Sequence, residues 1–286
     1  MRYSGSCGWI SYPLSVTMVD SYPKFLKSLR ILVGVIATVV ALILTPYMLG
    51  MLVTWVMPTD TTVRRLIYVG ALLMGSMAAV VVWNTFVLRK HSAYGFGIPC
   101  KWTFLALIVG VMSSVTVFTV AVLLNNLEII HTSVPLYEPI VMALAIASYT
   151  AVSEEVLSRH IVISAVMCAF KSAPLAQLVQ VAFFVSQHPQ ANPLLIASAA
   201  LLLGQIYILS KSFVVPAAMH FGFNFSQEML YSGYIGYVSN IANTIDRNTV
   251  IAVFNLLCVA VIYSYNFVRT SRAAQRDSVR TVRGLP

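Results

Sequence analysis

Charged residues are scarce in this chain. Asp, Glu, Lys and Arg make up only 9% of its 286 residues, whereas 59% are hydrophobic and the mean hydropathy is +0.83. A soluble domain has roughly a quarter of its residues charged, so the composition excludes an ordinary soluble protein. A membrane β-barrel would show alternating strands of about 10 residues, and the sequence lacks them. It has instead several apolar runs that reach the ~20 residues needed for a helix to cross a bilayer.

Acidic residues are scarcer still, with 9 Asp and Glu against 18 Lys and Arg and a net charge of +9. The basic residues cluster at the ends of apolar runs, as the positive-inside rule and attraction to anionic lipid headgroups predict. We therefore expect membrane lipids as partners and no nucleic acid. The four cysteines include no CxxC pair, which favours small core residues over metal ligands.

Eight apolar segments are predicted as membrane helices. They run approximately over Ile31–Val56, Leu66–Leu88, Trp102–Leu124, Pro139–Phe170, Pro174–Gln187, Pro193–Ser210, Phe213–Leu230 and Thr249–Val268. The fold class is therefore all-α, a polytopic transmembrane helical bundle of about eight spans. Residues 1–30 are predicted as an N-terminal cytoplasmic segment, 31–268 as one membrane domain and 269–286 as a basic cytoplasmic tail.

Lys and Arg in the short loops predict the orientation. Most of them fall on one side if both termini are cytoplasmic, and the loop at residues 125–139 between the third and fourth spans carries none. Arg64, Arg65 and Arg247 depart from this pattern. The prediction is an integral, multi-pass membrane protein with both termini in the cytoplasm.

The stretch SEEVLSR, residues 153–159, places charge inside the fourth apolar span. Such groups cost at least ~2.5–3.5 kcal/mol each at mid-bilayer and normally face a partner or a water-filled cavity. Glu155 and Arg159 are four residues apart on one helical face and are predicted to pair. Glu154 is turned about 100° away, which leaves it free to act as a base. The alternative is a purely structural ion pair.

Two further spans carry polar side chains with the same spacing. The fifth ends in FFVSQHPQ, with Phe184 and His188 four residues apart, and the seventh contains MHFGFN, with His220 and Asn224 four apart. A carboxylate, two imidazoles and an amide suit hydrolysis by an activated water, because a base must take the water's proton and donors must hold the oxyanion. The alternatives are an interfacial histidine and interhelical hydrogen bonding.

The three motifs, in this order, resemble those of the CPBP family, the CAAX prenyl endopeptidase and bacteriocin-processing (Abi) intramembrane proteases. The resemblance covers approximately residues 139–230 of the membrane domain, and it implies a metal-independent glutamic endopeptidase. By position, Glu154 and His188 would activate the water, and His220 and Asn224 would form the oxyanion hole. Glu155, Arg159 and Phe184 would support them.

The sequence departs from the family pattern beside the motif arginine. Members usually carry an aromatic residue before it and often a glycine after it, where this chain has Ser158 and His160. This difference bears on local packing and substrate fit. His160, like His91 and His131, is interpreted as structural or interfacial.

The span that ends at His188 is short, about 14 residues or roughly 21 Å at 1.5 Å per residue. A helix of this length cannot cross a bilayer fully. We therefore expect the HPQANP segment to dip below the headgroups and line a cavity, where irregular backbone is tolerated.

Other protease mechanisms lack their motifs here. The chain contains no HExxH, no GxGD and no Gly-x-Ser-Gly in a span, which disfavours zinc, aspartyl and serine intramembrane proteases. A zinc site formed by Glu154, His188 and His220 is chemically conceivable, but we expect no cofactor.

The leading hypothesis is an intramembrane endopeptidase that cleaves a hydrophobic or lipidated, membrane-associated peptide or protein. The sequence leaves the identity of the substrate and the oligomeric state open. A non-catalytic immunity, sensor or scaffold protein of the same fold is the main alternative. A proton-coupled transporter is a third, but the sequence shows no inverted repeat to support it.

Overall fold

A computed structural model describes residues 61–85, 100–123, 127–129, 137–231, 237–239 and 251–264, together with scattered positions between 33 and 51 and residue 249. The predicted N-terminal segment and the basic tail lie outside this part, as do most of the first predicted span and the residues His91, His131 and Arg247. The orientation signal from the loop lysines and arginines falls largely on the same undescribed positions.

The described part of the chain is almost entirely helical. Its helices are α1 (Thr61–Trp83), α2 (Cys100–Leu123), α3 (Tyr137–Glu155), a π-helix (Val156–Ile163), α4 (Ser164–Phe170), α5 (Ala173–Ser186), α6 (Pro193–Ser210), α7 (Val214–Tyr231) and α8 (Ile251–Ser264). The π-helix follows α3 and precedes α4 without a break, so the fourth predicted span is one continuous helical rod.

Four stretches of the described residues are long and apolar enough to cross a membrane: Leu66–Trp83, Cys100–Val120, Ile140–Phe170 and Pro193–Ser210. α5 and α8 are shorter apolar helices. α7 belongs to neither group, because polar residues such as His220, Asn224 and Gln227 lower its hydropathy. The predicted all-α membrane bundle is confirmed, whereas the predicted number of about eight spans is not.

A short antiparallel ribbon adds a β element to the bundle. Strand β1, Leu127–Ile129, pairs with strand β2, Tyr237–Ser239, with Glu128 opposite Val238. β1 lies in the loop without Lys or Arg, and β2 follows α7. The ribbon therefore ties together two loops that are more than 100 residues apart.

The turns on either side of α5 and α6 are defined by capping residues. Lys171 and Lys211 adopt left-handed backbone conformations, with φ of 53° and 55°, and end the preceding helices sharply. Ser172 caps α5 by accepting a hydrogen bond from the backbone N–H of Leu175 at 3.3 Å. Asn192 caps α6 through the N–H of Leu194. Such side-chain caps satisfy backbone donors that a helix start leaves free.

α2 and α7 pack backbone against backbone through two glycines. A Cβ on Gly110 would lie 2.1 Å from the carbonyl oxygen of Met219, and one on Gly222 would lie 2.5 Å from that of Leu107. Small residues allow this close approach between membrane helices, where dispersion contacts drive association. The contact fixes the helix that carries His220 and Asn224.

Burial is inverted relative to a soluble protein. Large apolar side chains such as Phe104, Leu178 and Val261 are more than 60% exposed, whereas Glu155 and Arg159 are fully buried. An apolar outside suits contact with lipid, and intramembrane polar groups gather inside where they can find partners. The buried polar residues Glu155, Arg159 and Gln180 therefore lie in the core of the bundle.

Candidate active site

Two neighbouring glutamates end α3 and face different surroundings. The side chain of Glu154 is 26% exposed, while that of Glu155 is 0% exposed. The offset between adjacent helical positions separates them in this way. Glu154 therefore faces an accessible space, and Glu155 points into the protein.

Glu154 stands between two histidines from other helices. Its Oε1 lies 3.8 Å from Nε2 of His188, and its Oε2 lies 3.8 Å from Nε2 of His220. These gaps exceed the length of a hydrogen bond but are short enough for one water molecule to touch both groups. The three side chains, which the sequence places on three separate helices, thus surround one small space.

His188 is oriented by the backbone of its own helix. It lies two residues beyond the last residue of α5, and its Nδ1 is 2.9 Å from the carbonyl oxygen of Phe184. A carbonyl can only accept, so Nδ1 must carry the hydrogen. In the neutral ring Nε2 therefore presents its lone pair toward Glu154, as a proton acceptor requires.

Glu155 contacts both a cation and one of the two histidines that face Glu154. Its Oε1 lies 3.0 Å from Nη1 of Arg159, an ion pair predicted from their spacing. The same oxygen accepts a hydrogen bond from Nδ1 of His220 at 2.9 Å. Glu155 therefore does more than join two turns of one helix, because it also sets the ring orientation of His220 and leaves its Nε2 facing Glu154.

Arg159 links the first motif to the second. Its guanidinium carbon lies 4.3 Å from the centroid of the Phe184 ring, in a cation–π contact. That ring in turn packs against His188, with centroids 4.6 Å apart. A desolvated cation–π pair is worth about 2 kcal/mol, so Phe184 connects the buried cation to the histidine beside Glu154.

Asn224 is positioned by Thr150. Its Nδ2 donates to Oγ1 of Thr150 at 3.0 Å. Thr150 lies one turn before Glu154 on α3, and Asn224 lies one turn after His220 on α7. The Thr150–Asn224 contact is therefore next to the Glu154–His220 contact along the interface of the two helices. An amide nitrogen has two hydrogens, and the second remains for another acceptor.

No group of three or more His, Cys, Asp or Glu side chains in the described ranges has an arrangement that could hold a metal ion. Glu154 and the two histidines are separated by 3.8 Å gaps. This arrangement suits a bridging water between hydrogen-bonding groups.

His160 belongs to a second buried polar network that the sequence did not reveal. It is 0% exposed, with Nε2 2.9 Å from Oδ1 of Asn84 and Nδ1 3.3 Å from the hydroxyl of Tyr207. One turn further on, Ser164 accepts a hydrogen bond from Nε1 of Trp83 at 2.9 Å and donates to the carbonyl of His160. His160 thus contacts Asn84, which directly follows α1, and Tyr207 of α6, while Trp83 at the end of α1 contacts Ser164.

The π-helix carries the motif arginine and the two residues beside it in which this chain differs from the family pattern. Ser158, Arg159 and His160 all lie within Val156–Ile163 and are fully buried. π-helical turns are rare and occur frequently at functional sites. Here the turn follows Glu155 directly and places Arg159 against α5 and His160 against α1 and α6.

The fold and this site define an integral membrane protein with a glutamate and two histidines clustered inside a helical bundle. Residues 136–226 match the family model described as type II CAAX prenyl endopeptidase Rce1-like. The match covers about a third of the chain and contains all three motifs. The resemblance to the CPBP family is confirmed for this region, and the match supports a CAAX-type intramembrane protease-like fold. Comparisons with curated proteins and with solved structures give no significant match.

Proposed function

We propose that this protein is an intramembrane endopeptidase that uses a water activated by Glu154 and His188. The observation that carries the proposal is the position of Glu154, whose two carboxylate oxygens each face an imidazole Nε2 at 3.8 Å. A water in this space has a carboxylate and an imidazole lone pair to accept its proton. The match of residues 136–226 to a CAAX endopeptidase family supports the same reaction class.

His220 and Asn224 would stabilise the oxyanion that forms when the water attacks a peptide carbonyl. Because Nδ1–H of His220 is committed to Glu155, Nε2 can donate only when the ring carries both protons. The Glu155 carboxylate supplies the countercharge for that state. The second hydrogen of the Asn224 amide would be the other donor, and preorganised donors of this kind are worth about 10²–10³ in rate each.

The substrate would be a hydrophobic or lipidated peptide that approaches through the bilayer. The exposed apolar faces of the bundle suit such a molecule. The family description names a CAAX prenyl endopeptidase, so a farnesylated peptide that ends in a CAAX sequence is the first probe. The same peptide without the prenyl group shows whether the lipid is required.

The test is cleavage of this peptide by the full-length protein in liposomes, with wild type, Glu154→Ala, His188→Ala and His220→Ala compared. We expect cleavage by wild type only, with equal expression and thermal stability of all four proteins. Turnover retained in all three variants would refute the proposal. Restoration of a cellular phenotype by Glu154→Ala would favour the non-catalytic alternative.

We further propose that the reaction needs no metal. Added chelator should then leave the rate unchanged, and added zinc should not raise it. Loss of activity on chelation, with recovery on zinc addition, would assign the Glu154, His188 and His220 side chains to a metal instead.

A further inference from the structure

Buried polar groups without protein partners gather between the π-helix, α5 and α6. Gln180 is 0% exposed, and neither its Nε2 nor its Oε1 has a hydrogen-bond partner among the described residues. Among the described residues, hydrogen bonds are also missing for Oε1 of Gln177 and for the three nitrogens of the Arg159 guanidinium. One of these nitrogens, Nη1, forms the ion pair with Glu155. Native proteins satisfy nearly all such groups with protein atoms or ordered water.

The side-chain carboxamides of Gln177 and Gln180 meet beside Gly204 of α6. A Cβ on Gly204 would lie 2.6 Å from Nε2 of Gln177 and 2.8 Å from Oε1 of Gln180. Glycine at this position leaves room for both carboxamides. Gln177 uses its Nε2 to donate to the carbonyl oxygen of Leu201 at 2.9 Å, so the groups left over are a carboxamide oxygen on Gln177 and the whole amide of Gln180.

Gln180 also lies on the face of α5 that leads to the candidate active site. It is one helical turn before Phe184 and two turns before His188. The Phe184 ring carries the Arg159 guanidinium 4.3 Å from its centroid. Arg159 pairs with Glu155, which holds His220. Gln180 and Arg159 therefore both lie next to Phe184 in the core, Gln180 by one helical turn and Arg159 by its contact with the ring, and Arg159 continues to Glu155.

We infer that this junction, bounded by Arg159, Gln177, Gln180 and Gly204, is a buried hydration site whose water bridges the Gln180 carboxamide and the Arg159 guanidinium. The groups at this junction favour water over a cation or an anion. Arg159 offers only donors, which disfavours a cation, while the oxygens of Glu155, Gln177 and Gln180 disfavour an anion. Water is neutral and both donates and accepts, so it can satisfy the amide and the guanidinium together.

This inference deepens the proposed function and rests on it for one point, the use of the water. A hydrolase inside a bilayer needs a supply of water in an apolar surrounding. Water held behind Arg159 would keep the Arg159–Glu155 pair hydrated and could replace a water consumed beside Glu154. Gln180 would then be a positioning residue, because it acts through water and not on the substrate.

The test is X-ray radiolytic labelling of the full-length protein in nanodiscs, since radicals form from bound water and oxidise side chains next to it. Phe184 and Phe213 are a matched pair, each 3% exposed. We expect wild type to be oxidised at Phe184 and spared at Phe213. In Gln180→Leu, oxidation of Phe184 should fall severalfold. Equal oxidation of Phe184 in wild type and Gln180→Leu, or none in wild type, would overturn the inference.

Gly204→Ala is the second variant, because its methyl group would occupy the point where the carboxamides meet. It should reduce Phe184 oxidation as Gln180→Leu does. Thermal unfolding gives an independent readout. A dry site predicts that Gln180→Leu raises the Tm, because an unpaired buried amide is removed, whereas a hydrated site predicts an unchanged or lower Tm.

Cleavage kinetics separate this inference from the proposed function. In an active enzyme, Gln180→Leu should lower kcat by roughly tenfold, the effect of one weakened interaction with a charged group, and leave KM unchanged. Labelling reports water and not turnover. If Phe184 is oxidised in wild type and less so in Gln180→Leu, but no peptidase activity is found, the hydration site is supported and the proposed function is refuted.

Discussion

Oε1 of Glu155 lies 3.0 Å from Nη1 of Arg159 and 2.9 Å from Nδ1 of His220. One buried carboxylate oxygen thus serves two positively polarised groups from different helices. Removal of one partner from a buried ion pair costs roughly 3–5 kcal/mol, whereas apolar replacement of both is often neutral. These two roles of Glu155 can therefore be separated by mutation.

We expect Glu155→Gln to lower the free energy of unfolding by about 3–5 kcal/mol, because Arg159 remains buried without its countercharge. The double variant Glu155→Gln with Arg159→Met should regain most of that loss. Its cleavage rate should stay low, since His220 still lacks a negative partner on Nδ1. Thermal unfolding and cleavage are measured on the same preparations. Recovery of activity together with stability would show that Glu155 serves only as the countercharge of Arg159 and is not needed to orient His220.

Asn224 is expected to act on the rate and not on substrate binding. Asn224→Ala removes an amide that would donate to the oxyanion, so kcat should fall by about 10²–10³ with little change in KM. Thr150→Val removes only the hydroxyl that orients Asn224, and its effect should be much smaller. Steady-state kinetics of the two variants test this order. A Thr150→Val defect as large as that of Asn224→Ala would contradict it.

The glycine contact between α2 and α7 is expected to control stability. Gly110→Ala and Gly222→Ala each introduce a Cβ 2.1–2.5 Å from a backbone oxygen, and overpacking of this kind costs about 1–3 kcal/mol. Gly70→Ala in α1 is the matched control, because nothing lies within 4 Å of its Cβ. Thermal unfolding should show lower Tm values for the first two variants and no loss for the third.

The contact of α1 with the π-helix is expected to be structurally necessary. Asn84→Leu leaves Nε2 of the fully buried His160 without its partner, which costs about 1–3 kcal/mol. Val81→Leu, on the exposed face of α1, should have no such effect. We expect a lower Tm for Asn84→Leu than for Val81→Leu. Equal Tm values would show that the contact of Asn84 with His160 does not stabilise the protein.

The shared helical face of the residues within each motif could be predicted from the sequence because it follows from local helical geometry, whereas the association of the three motifs was implied by the family resemblance. Charged and polar residues four apart in apolar spans share a face, and adjacent glutamates must diverge. The fully buried Glu155 and the partly exposed Glu154 show this divergence. In the part of the chain that the structure describes, the helices begin and end within a few residues of the predicted apolar runs.

The remaining features depend on tertiary packing and left no local signal. Asn84 reaches His160 across 76 positions, and nothing in the apolar sequence around Asn84 indicates that contact. The π-helix at Val156–Ile163 was not predicted, because the sequence there continues the apolar helical pattern of the span. The bond from Glu155 to His220 required knowledge that α3 and α7 are neighbours. Thr150, by contrast, could have been found from the sequence, since it lies one helical turn before Glu154 on the same face.

The most direct measurement follows new peptide ends made in oxygen-18 water. Membranes that contain wild type or Glu154→Gln are incubated in labelled water, and peptide C-termini are identified by mass spectrometry. The substitution keeps the shape of Glu154 and removes its basicity, so we expect labelled C-termini with wild type and a loss of 10²–10⁴ in their rate of formation with Glu154→Gln. Labelled ends formed equally by both proteins would contradict a water activated by Glu154.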